Sequence, residues 1–89
     1  MENDREIIPY GKISNSAEVG RLIRRKRKES GAEQTKVAGL AGVGVRFLSE
    51  LERGKPTAEL EKTLRVLRRL GLEVWILPRG SIPAERAAP

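Results

Sequence analysis

Apolar residues recur at helical spacing over residues 16–71, and turn-forming residues divide the recurrence into four segments. Repeats of three and four residues are typical of amphipathic helices that bury one face. The first predicted helix begins at Ser16, which is suited to cap its N-terminus, and ends near Ser30 because Gly31 follows. Its apolar stripe consists of Val19, Leu22 and Ile23.

The second and third predicted helices are short and meet around Gly42. They span Gln34 to Ala41 and Val45 to Arg53, and Gly42 suits the left-handed backbone with which a chain often leaves a helix. Their predicted buried faces consist of Val37, Ala38 and Ala41 in one helix and Phe47, Leu48 and Leu51 in the other. This is the geometry of a helix-turn-helix, whose second helix enters the DNA major groove. An ordinary helical hairpin in a small bundle has the same spacing.

A fourth helix is expected after Pro56, with Thr57 as its N-cap and Gly71 as its end. Its predicted core face consists of Leu60, Leu64, Val66, Leu67 and Leu70, and its predicted outward residues are Arg65, Arg68 and Arg69. This helix would close the core over the other three. The predicted fold class is therefore all-α, with four to five helices.

From Leu72 the side-chain pattern repeats every two residues instead of every three or four, which predicts a β-strand over residues 72–78. A lone strand leaves its backbone hydrogen-bonding groups unpaired, and a helical domain has no sheet to receive it. Pairing with the same strand of a second copy around a twofold axis solves this problem, with an extended tail as the alternative. The residues assigned to this dimer interface are Leu72, Val74, Trp75, Ile76 and Leu77.

The composition is basic and lacks the residues of most active sites. The chain has 89 residues, with 18 Lys and Arg against 12 Asp and Glu, a balance that suits a nucleic-acid partner. One Trp, one Tyr and one Phe are too few to stack single-stranded bases, so double-stranded DNA is favoured. Because Cys, His and clustered carboxylates are missing, no enzyme activity, metal site or cofactor is predicted. No membrane-spanning run or signal peptide is recognised, so a cytoplasmic protein without membrane contact is expected.

The motifs between Val19 and Leu70 resemble those of the Cro/repressor-type (Xre family) helix-turn-helix regulators. The matching elements are Gln34 at the start of the second helix, Ala41-Gly42-Val43 at the turn, and LSELERGK at the end of the third helix. The segment that follows, LGLEVWILPRG, makes the chain most similar to the HipB-like antitoxins, whose dimers join through an intersubunit strand. The resemblance implies a lambda-repressor-like DNA-binding domain with one C-terminal β-strand that pairs across a dimer.

A recognition helix presents its outward residues to DNA base edges. Here Val45 can contact a thymine methyl, Arg46 can donate twice to a guanine, and Ser49 and Glu50 lie one turn further on. A surface ion pair between Arg46 and Glu50, four residues apart, is the alternative interpretation. Contacts to DNA phosphates are predicted for Gln34, Thr35, Lys36, Gly44, Arg53 and Lys55.

The resemblance also assigns a structural salt bridge to Arg27 and Glu52, which would lock the third helix against the first. The chain departs from the family pattern at two caps, because Glu33 and Gly44 stand where Ser or Thr is common. Glu33 also places negative charge close to an expected phosphate. Anchoring of the DNA backbone at these points is predicted to be weaker than usual.

These predictions describe a sequence-specific repressor that acts as a homodimer on a palindromic operator in double-stranded DNA. The resemblance further implies a HipBA-like toxin–antitoxin operon, with a HipA-type kinase toxin as a partner. A stand-alone Xre-type regulator, an antitoxin of a RelE/HigB-type nuclease and a protein-interaction adaptor are the alternatives. The predicted organisation is a flexible arm (1–15), a helix-turn-helix domain (16–71), a dimerising strand (72–78) and a disordered tail (79–89).

Overall fold

Four α-helices form the fold in a computed structural model, which describes residues 9–81. They are α1 (Ser16–Glu29), α2 (Gln34–Ala41), α3 (Val45–Glu52) and α4 (Leu60–Arg69). The all-α prediction is confirmed. Over residues 9–81 no strand is assigned, so the strand at 72–78 stays a prediction about a dimer. The outer parts of the predicted arm and tail, 1–8 and 82–89, lie outside the described residues.

One hydrophobic core joins the four helices. The fully buried side chains at its centre are Ile23 of α1, Leu48 of α3 and Val66 of α4. The buried residues around them are Val37, Ala38, Ala41, Leu51, Leu67 and Leu70. In this arrangement α1 packs against α3, α4 packs against α2, and α2 and α3 contact each other.

The predicted core face of α4 is wrong at Leu60, which is 72% exposed. The buried stripe of α4 begins instead at Thr63 and continues through Val66 and Leu67. Leu60 lies at the edge of this stripe on the first turn of the helix. Thr63 tolerates burial because its hydroxyl donates to the Glu59 carbonyl oxygen at 2.8 Å.

Two helix caps also differ from the predicted ones. Asn15 rather than Ser16 caps α1, and its Oδ1 accepts a hydrogen bond from the backbone N–H of Glu18 at 2.8 Å. Asn and Ser are equally good caps, so sequence preference alone does not choose between neighbours. Thr57 caps no helix, because α4 begins after Glu59, whose side chain makes no capping bond.

The turn between α2 and α3 depends on Gly42, which has the predicted left-handed backbone with φ of 72°. The N–H of Val43 then donates to the Ala38 carbonyl oxygen at 2.9 Å, a closure typical of a helix ended by glycine. The prediction that Arg65 faces outward is wrong. Its Nη1 lies 3.3 Å from the position that a Cβ on Gly42 would occupy. There the guanidinium faces the negative end of the α2 dipole.

The close approach of α1 to α3 requires Gly20, a residue that the hydrophobic pattern does not single out. A Cβ at Gly20 would meet the carbonyl oxygen of Leu51 and lie 2.7 Å from that of Glu52. Gly54, just after α3, has φ of +87°, and a Cβ there would lie 2.8 Å from the Cα of Ala17. Backbone therefore packs against backbone where α1 crosses the end of α3.

Replacing Gly20 by alanine is expected to destabilise the protein by about 1–3 kcal/mol, because the added methyl collides with carbonyl oxygens that cannot rotate away. Urea denaturation followed by circular dichroism measures the change. The matched control is Gly39→Ala in α2, where a new Cβ meets nothing within 4 Å. That variant should gain up to about 1 kcal/mol from helix propensity. Equal effects of the two variants would contradict the packing described here.

Candidate nucleic-acid interface

A buried ion pair joins α1 to α3 behind the outward face of the third helix. Arg27 Nε donates to Glu52 Oε2 at 2.6 Å, and Nη2 donates to Oε1 at 3.0 Å. Its Nη1 donates to the Ala32 carbonyl oxygen at 2.8 Å. Gln34 Nε2, at the start of α2, donates to Glu52 Oε1 at 3.0 Å. The structure thus brings together the two residues predicted to pair and adds Gln34, and we refer to the three as the Glu52 cluster.

The Glu52 carboxylate stays charged although its side chain is only 3% exposed. Burial by itself raises the pKa of Glu52, because a charge loses solvation inside a protein. The hydrogen bonds from Arg27 and Gln34 outweigh that effect, and the pKa of Glu52 lies below its ordinary value. The charge of Arg24, one turn before Arg27, lowers this pKa further. The cluster therefore fixes α3 on α1 through a charged, bidentate contact.

The outward face of α3 carries the residues predicted to read bases. Val45 is exposed, and the Arg46 side chain is 91% exposed. Arg46 Nε donates to Glu50 Oε2 at 3.3 Å, and Lys55 Nζ donates to Glu50 Oε1 at 3.0 Å. The hydrogen bond from Lys55, and then that from Arg46, lower the pKa of Glu50. The surface ion pair given as the alternative interpretation is thus present in the free chain.

A second side-chain pair lies one turn further along the same face. Arg53 Nη1 donates to Ser49 Oγ at 2.6 Å. Ser49 is half-buried, whereas Arg53 is exposed. Because Ser49 is the acceptor in this bond, its O–H remains available to a base, whereas each carboxylate oxygen of Glu50 already accepts a hydrogen bond.

The residues predicted to contact phosphates lie at the start of α2 and on either side of α3. They are Thr35 and Lys36 in the first turn of α2, Gly44 before α3, and Arg53 and Lys55 after it. Gln34 differs from them because its amide donates to Glu52. An amide nitrogen carries two N–H groups, so one donor of Gln34 remains for a phosphate. Neither Glu33 nor Gly44 makes a side-chain capping bond, so the N–H groups of both helix starts face outward uncapped.

Tyr10 is a further residue of this region that the sequence patterns do not single out. The Arg25 guanidinium lies 4.0 Å from the centre of the Tyr10 ring, and its Nη2 donates to the Tyr10 carbonyl oxygen at 2.7 Å. The Tyr10 hydroxyl donates to Glu29 Oε1 at 2.8 Å. These contacts give the described part of the arm a defined place on α1. An aromatic residue shortly before a cationic helix was the available signal.

Residues 72–77 leave apolar side chains uncovered. Trp75 is 60% exposed and Ile76 is 94% exposed, with Val74 and Leu77 also exposed. A shallow groove beside them is lined in part by Leu64 and Leu72. Exposed apolar patches on soluble proteins are common at interaction sites, so this segment is a candidate for one.

The chain is similar to a known regulator and to solved structures of one fold. It is 48% identical over 69 residues to an uncharacterized HTH-type transcriptional regulator, y4mF, of Sinorhizobium fredii, a match that covers 78% of this chain and 91% of that protein. The HipB–O4 20mer complex and the HipA–HipB–O2–O3 complex each contain a chain that superposes with a TM-score of 0.72. Each is 19% identical, and each match covers 78% of this chain and 97% of the other. That identity supports a shared fold. No protein-family model matches the chain.

No helix among the described residues is long and apolar enough to cross a membrane.

Replacing Glu52 by glutamine is expected to destabilise the fold by about 3–5 kcal/mol, because Arg27 keeps its buried charge and loses its partner. Urea denaturation at neutral pH measures the loss. The control is Glu61→Gln, which removes an exposed carboxylate 3.8 Å from Arg68 and should change stability by less than about 0.5 kcal/mol. Similar losses in both variants would show that the Glu52 cluster has no special role.

The stability difference between the natural chain and Glu52→Gln should also depend on pH. Because folding lowers the pKa of Glu52, its stabilising effect is fully present above the ordinary value of 4.5 and is lost as pH falls through the lower, folded value. The two unfolding curves should therefore converge at acidic pH. A gap that stays constant down to the acid-unfolded state would argue against a lowered pKa.

Proposed function

The chain belongs to the family of helix-turn-helix transcriptional regulators, and from that premise we propose that it is a sequence-specific repressor. It acts as a homodimer on a palindromic operator in double-stranded DNA. The observation that carries the proposal is the exposed start of α3, where Val45 and Arg46 project from a helix held rigidly by the core and by the Glu52 cluster. Rigid presentation suits base reading, since small displacements of a side chain break its paired hydrogen bonds.

In this proposal Arg46 is the principal base reader. Its guanidinium is almost fully exposed and bound only at Nε, so its two terminal nitrogens can donate to guanine O6 and N7. Val45, in front of it, can contact a thymine methyl group. Ser49 can donate its O–H to a base, and Glu50 contributes once Arg46 or Lys55 turns from it to the DNA.

Phosphate contacts set the register of the protein on the duplex. Thr35 and Lys36 would contact the backbone on one side of α3, together with Gln34, and Arg53 and Lys55 on the other. Gly44 leaves the first N–H groups of α3 without a side-chain cap, and these groups can donate to a phosphate oxygen.

Residues 72–78 form an intersubunit strand in this proposal. The uncovered side chains from Val74 to Leu77 supply apolar area for an interface with a second copy, and the backbone of this segment supplies hydrogen-bonding groups for strand pairing. A twofold axis there would place two recognition helices in successive major grooves, about 34 Å apart.

The finer proposal is that the chain is the antitoxin of a HipBA-like operon. Its support is the fold shared with HipB, which occurs in one solved structure together with HipA and operator segments. A HipA-type kinase toxin is the partner that this proposal implies, and the cytoplasm is where it would act. An Xre-type regulator without a toxin, or one paired with a RelE/HigB-type nuclease, is the second candidate, because 48% identity links the chain to a regulator rather than to a named antitoxin. Co-purification from the source cell distinguishes these candidates by whether a kinase, a nuclease or no toxin is recovered.

The substitution Arg46→Ala is expected to weaken binding to the preferred DNA site by about 1–3 kcal/mol and to change binding to random duplex little. The preferred site is first obtained by selection from randomised duplexes, and affinities follow from fluorescence anisotropy. Arg53→Ala is the matched control. It should weaken binding to both DNAs equally, because a phosphate contact carries no sequence information. Equal losses on both DNAs for Arg46→Ala would remove it as a base reader. A protein-interaction adaptor would bind its partner unchanged in this variant.

Replacing Trp75 by aspartate is expected to give monomers and to weaken operator binding strongly, because a charge enters the proposed interface and each half-site is then bound alone. Sedimentation velocity measures the oligomeric state. The control is Glu73→Asp, which retains the charge in the same segment. A dimer that persists in Trp75→Asp would rule out strand pairing through this segment.

A further inference from the structure

We propose that α1 carries a second DNA-binding surface, a cationic stripe that contacts phosphates outside the groove read by α3. The stripe consists of Arg21, Arg24 and Lys28, with Lys12 of the arm beside them. This inference rests on the proposed function, because it concerns the same DNA. It differs from that proposal in assigning binding energy to a helix outside the helix-turn-helix.

The stripe lies along a shallow groove between α1 and the arm. Five cations and one carboxylate line this groove, and the cations are Lys12, Arg21, Arg24, Arg25 and Lys28. The carboxylate, Glu18, already accepts the backbone N–H of Ser14 at 2.5 Å. Arg25 is already bound, because it donates hydrogen bonds to Tyr10 and forms an ion pair with Glu29. Of the residues at 9–81, none forms an ion pair with a member of the stripe.

The cations around α3 are in a different state. Glu50 pairs with both Arg46 and Lys55, whereas Arg53 keeps its full charge, because the Ser49 hydroxyl that it binds is neutral. Among the described residues, the four cations of the stripe form no such ion pair, so the larger group of unpaired positive charge lies on α1, beside the helix that reads bases. A surface of this kind raises the local concentration of a polyanion.

The position of the stripe relative to the recognition surface follows from the Glu52 cluster. Arg24 is close enough for its charge to lower the pKa of Glu52. Glu52 in turn accepts a hydrogen bond from Gln34, the residue at the start of α2 for which a phosphate contact is proposed. The stripe thus passes beside the proposed phosphate site, since Arg24 lies one turn before Arg27, which binds Glu52, and a DNA backbone at Gln34 would continue along α1.

Double-stranded DNA fits the stripe better than an acidic protein does. From Arg21 to Lys28 the helix rises by about 10 Å, which lets the stripe reach more than one phosphate of a strand. The stripe contains no exposed apolar residue, whereas protein interfaces take most of their binding energy from buried aromatic and apolar anchors. Tyr10 contacts α1 through Arg25, and Lys12, two residues further on, lines the same groove as the cations of α1.

The test compares two double variants of the full chain that remove equal charge. Arg21→Gln with Arg24→Gln alters the stripe, and Arg69→Gln with Arg79→Gln alters exposed arginines at and after the end of α4. Affinities for the selected site and for random duplex are measured from low to moderate salt concentration. Thermal unfolding establishes that both variants are folded. Sedimentation velocity establishes that both keep the oligomeric state of the natural chain.

The stripe variant is expected to bind both DNAs about tenfold or more weakly at low salt, with the slope of log affinity against log salt reduced by about two. The control variant should keep the slope of the natural chain. An unchanged slope in the stripe variant would overturn the proposal and favour an acidic protein as the ligand of α1. If the natural chain shows no preference for any sequence, the repressor proposal fails, and the slope on random duplex still decides the stripe.

Discussion

The presentation of the recognition helix depends on one buried carboxylate. Glu52 is the last residue of α3. It accepts hydrogen bonds from Arg27 of α1 and from Gln34 at the start of α2. Helices of eight residues, such as α2 and α3, are not stable in isolation, so their orientation must come from tertiary contacts. A bidentate charged pair forms over a narrow range of geometries, although it adds less to stability than its contact energy suggests.

The two ends of α3 are held by different means. At its C-terminal end the glycine at position 20 brings the α1 backbone against the Leu51 and Glu52 carbonyls, which shortens the distance that the Arg27 side chain must span. At its N-terminal end the left-handed Gly42 sets the direction of entry, and Arg65 of α4 lies against that turn. The described contacts hold the backbone of α3 at both ends and leave Val45 and Arg46 exposed on its outward face.

Much of this architecture was predictable from the sequence, and the exceptions share a cause. Apolar periodicity located α2 and α3, and Gly42 identified the turn, because burial and left-handed backbone each leave a residue-level signature. The choice of Asn15 over Ser16 as a cap, and the exposure of Leu60, depend on where the chain lies relative to neighbouring helices. The same holds for Gly20: a glycine inside a helix looks unfavourable until the opposing backbone is known. Pairing of Arg27 with Glu52 came from family resemblance rather than from periodicity.

Partial neutralisation of the α3 surface bears on how the proposed repressor could select one sequence. With Glu50 binding Arg46 and Lys55, attraction of α3 to arbitrary phosphates is reduced, so its affinity for DNA would depend more on contacts with the correct bases. One short helix makes few such contacts, each contributing about 1–3 kcal/mol of discrimination. Specific recognition in a genome requires roughly 4–10 kcal/mol over random sites. In the proposed homodimer, two helices acting together would reach that range more readily than one. The uncovered apolar segment after α4 would then have a thermodynamic role, because it would join two weak readers into one selective protein.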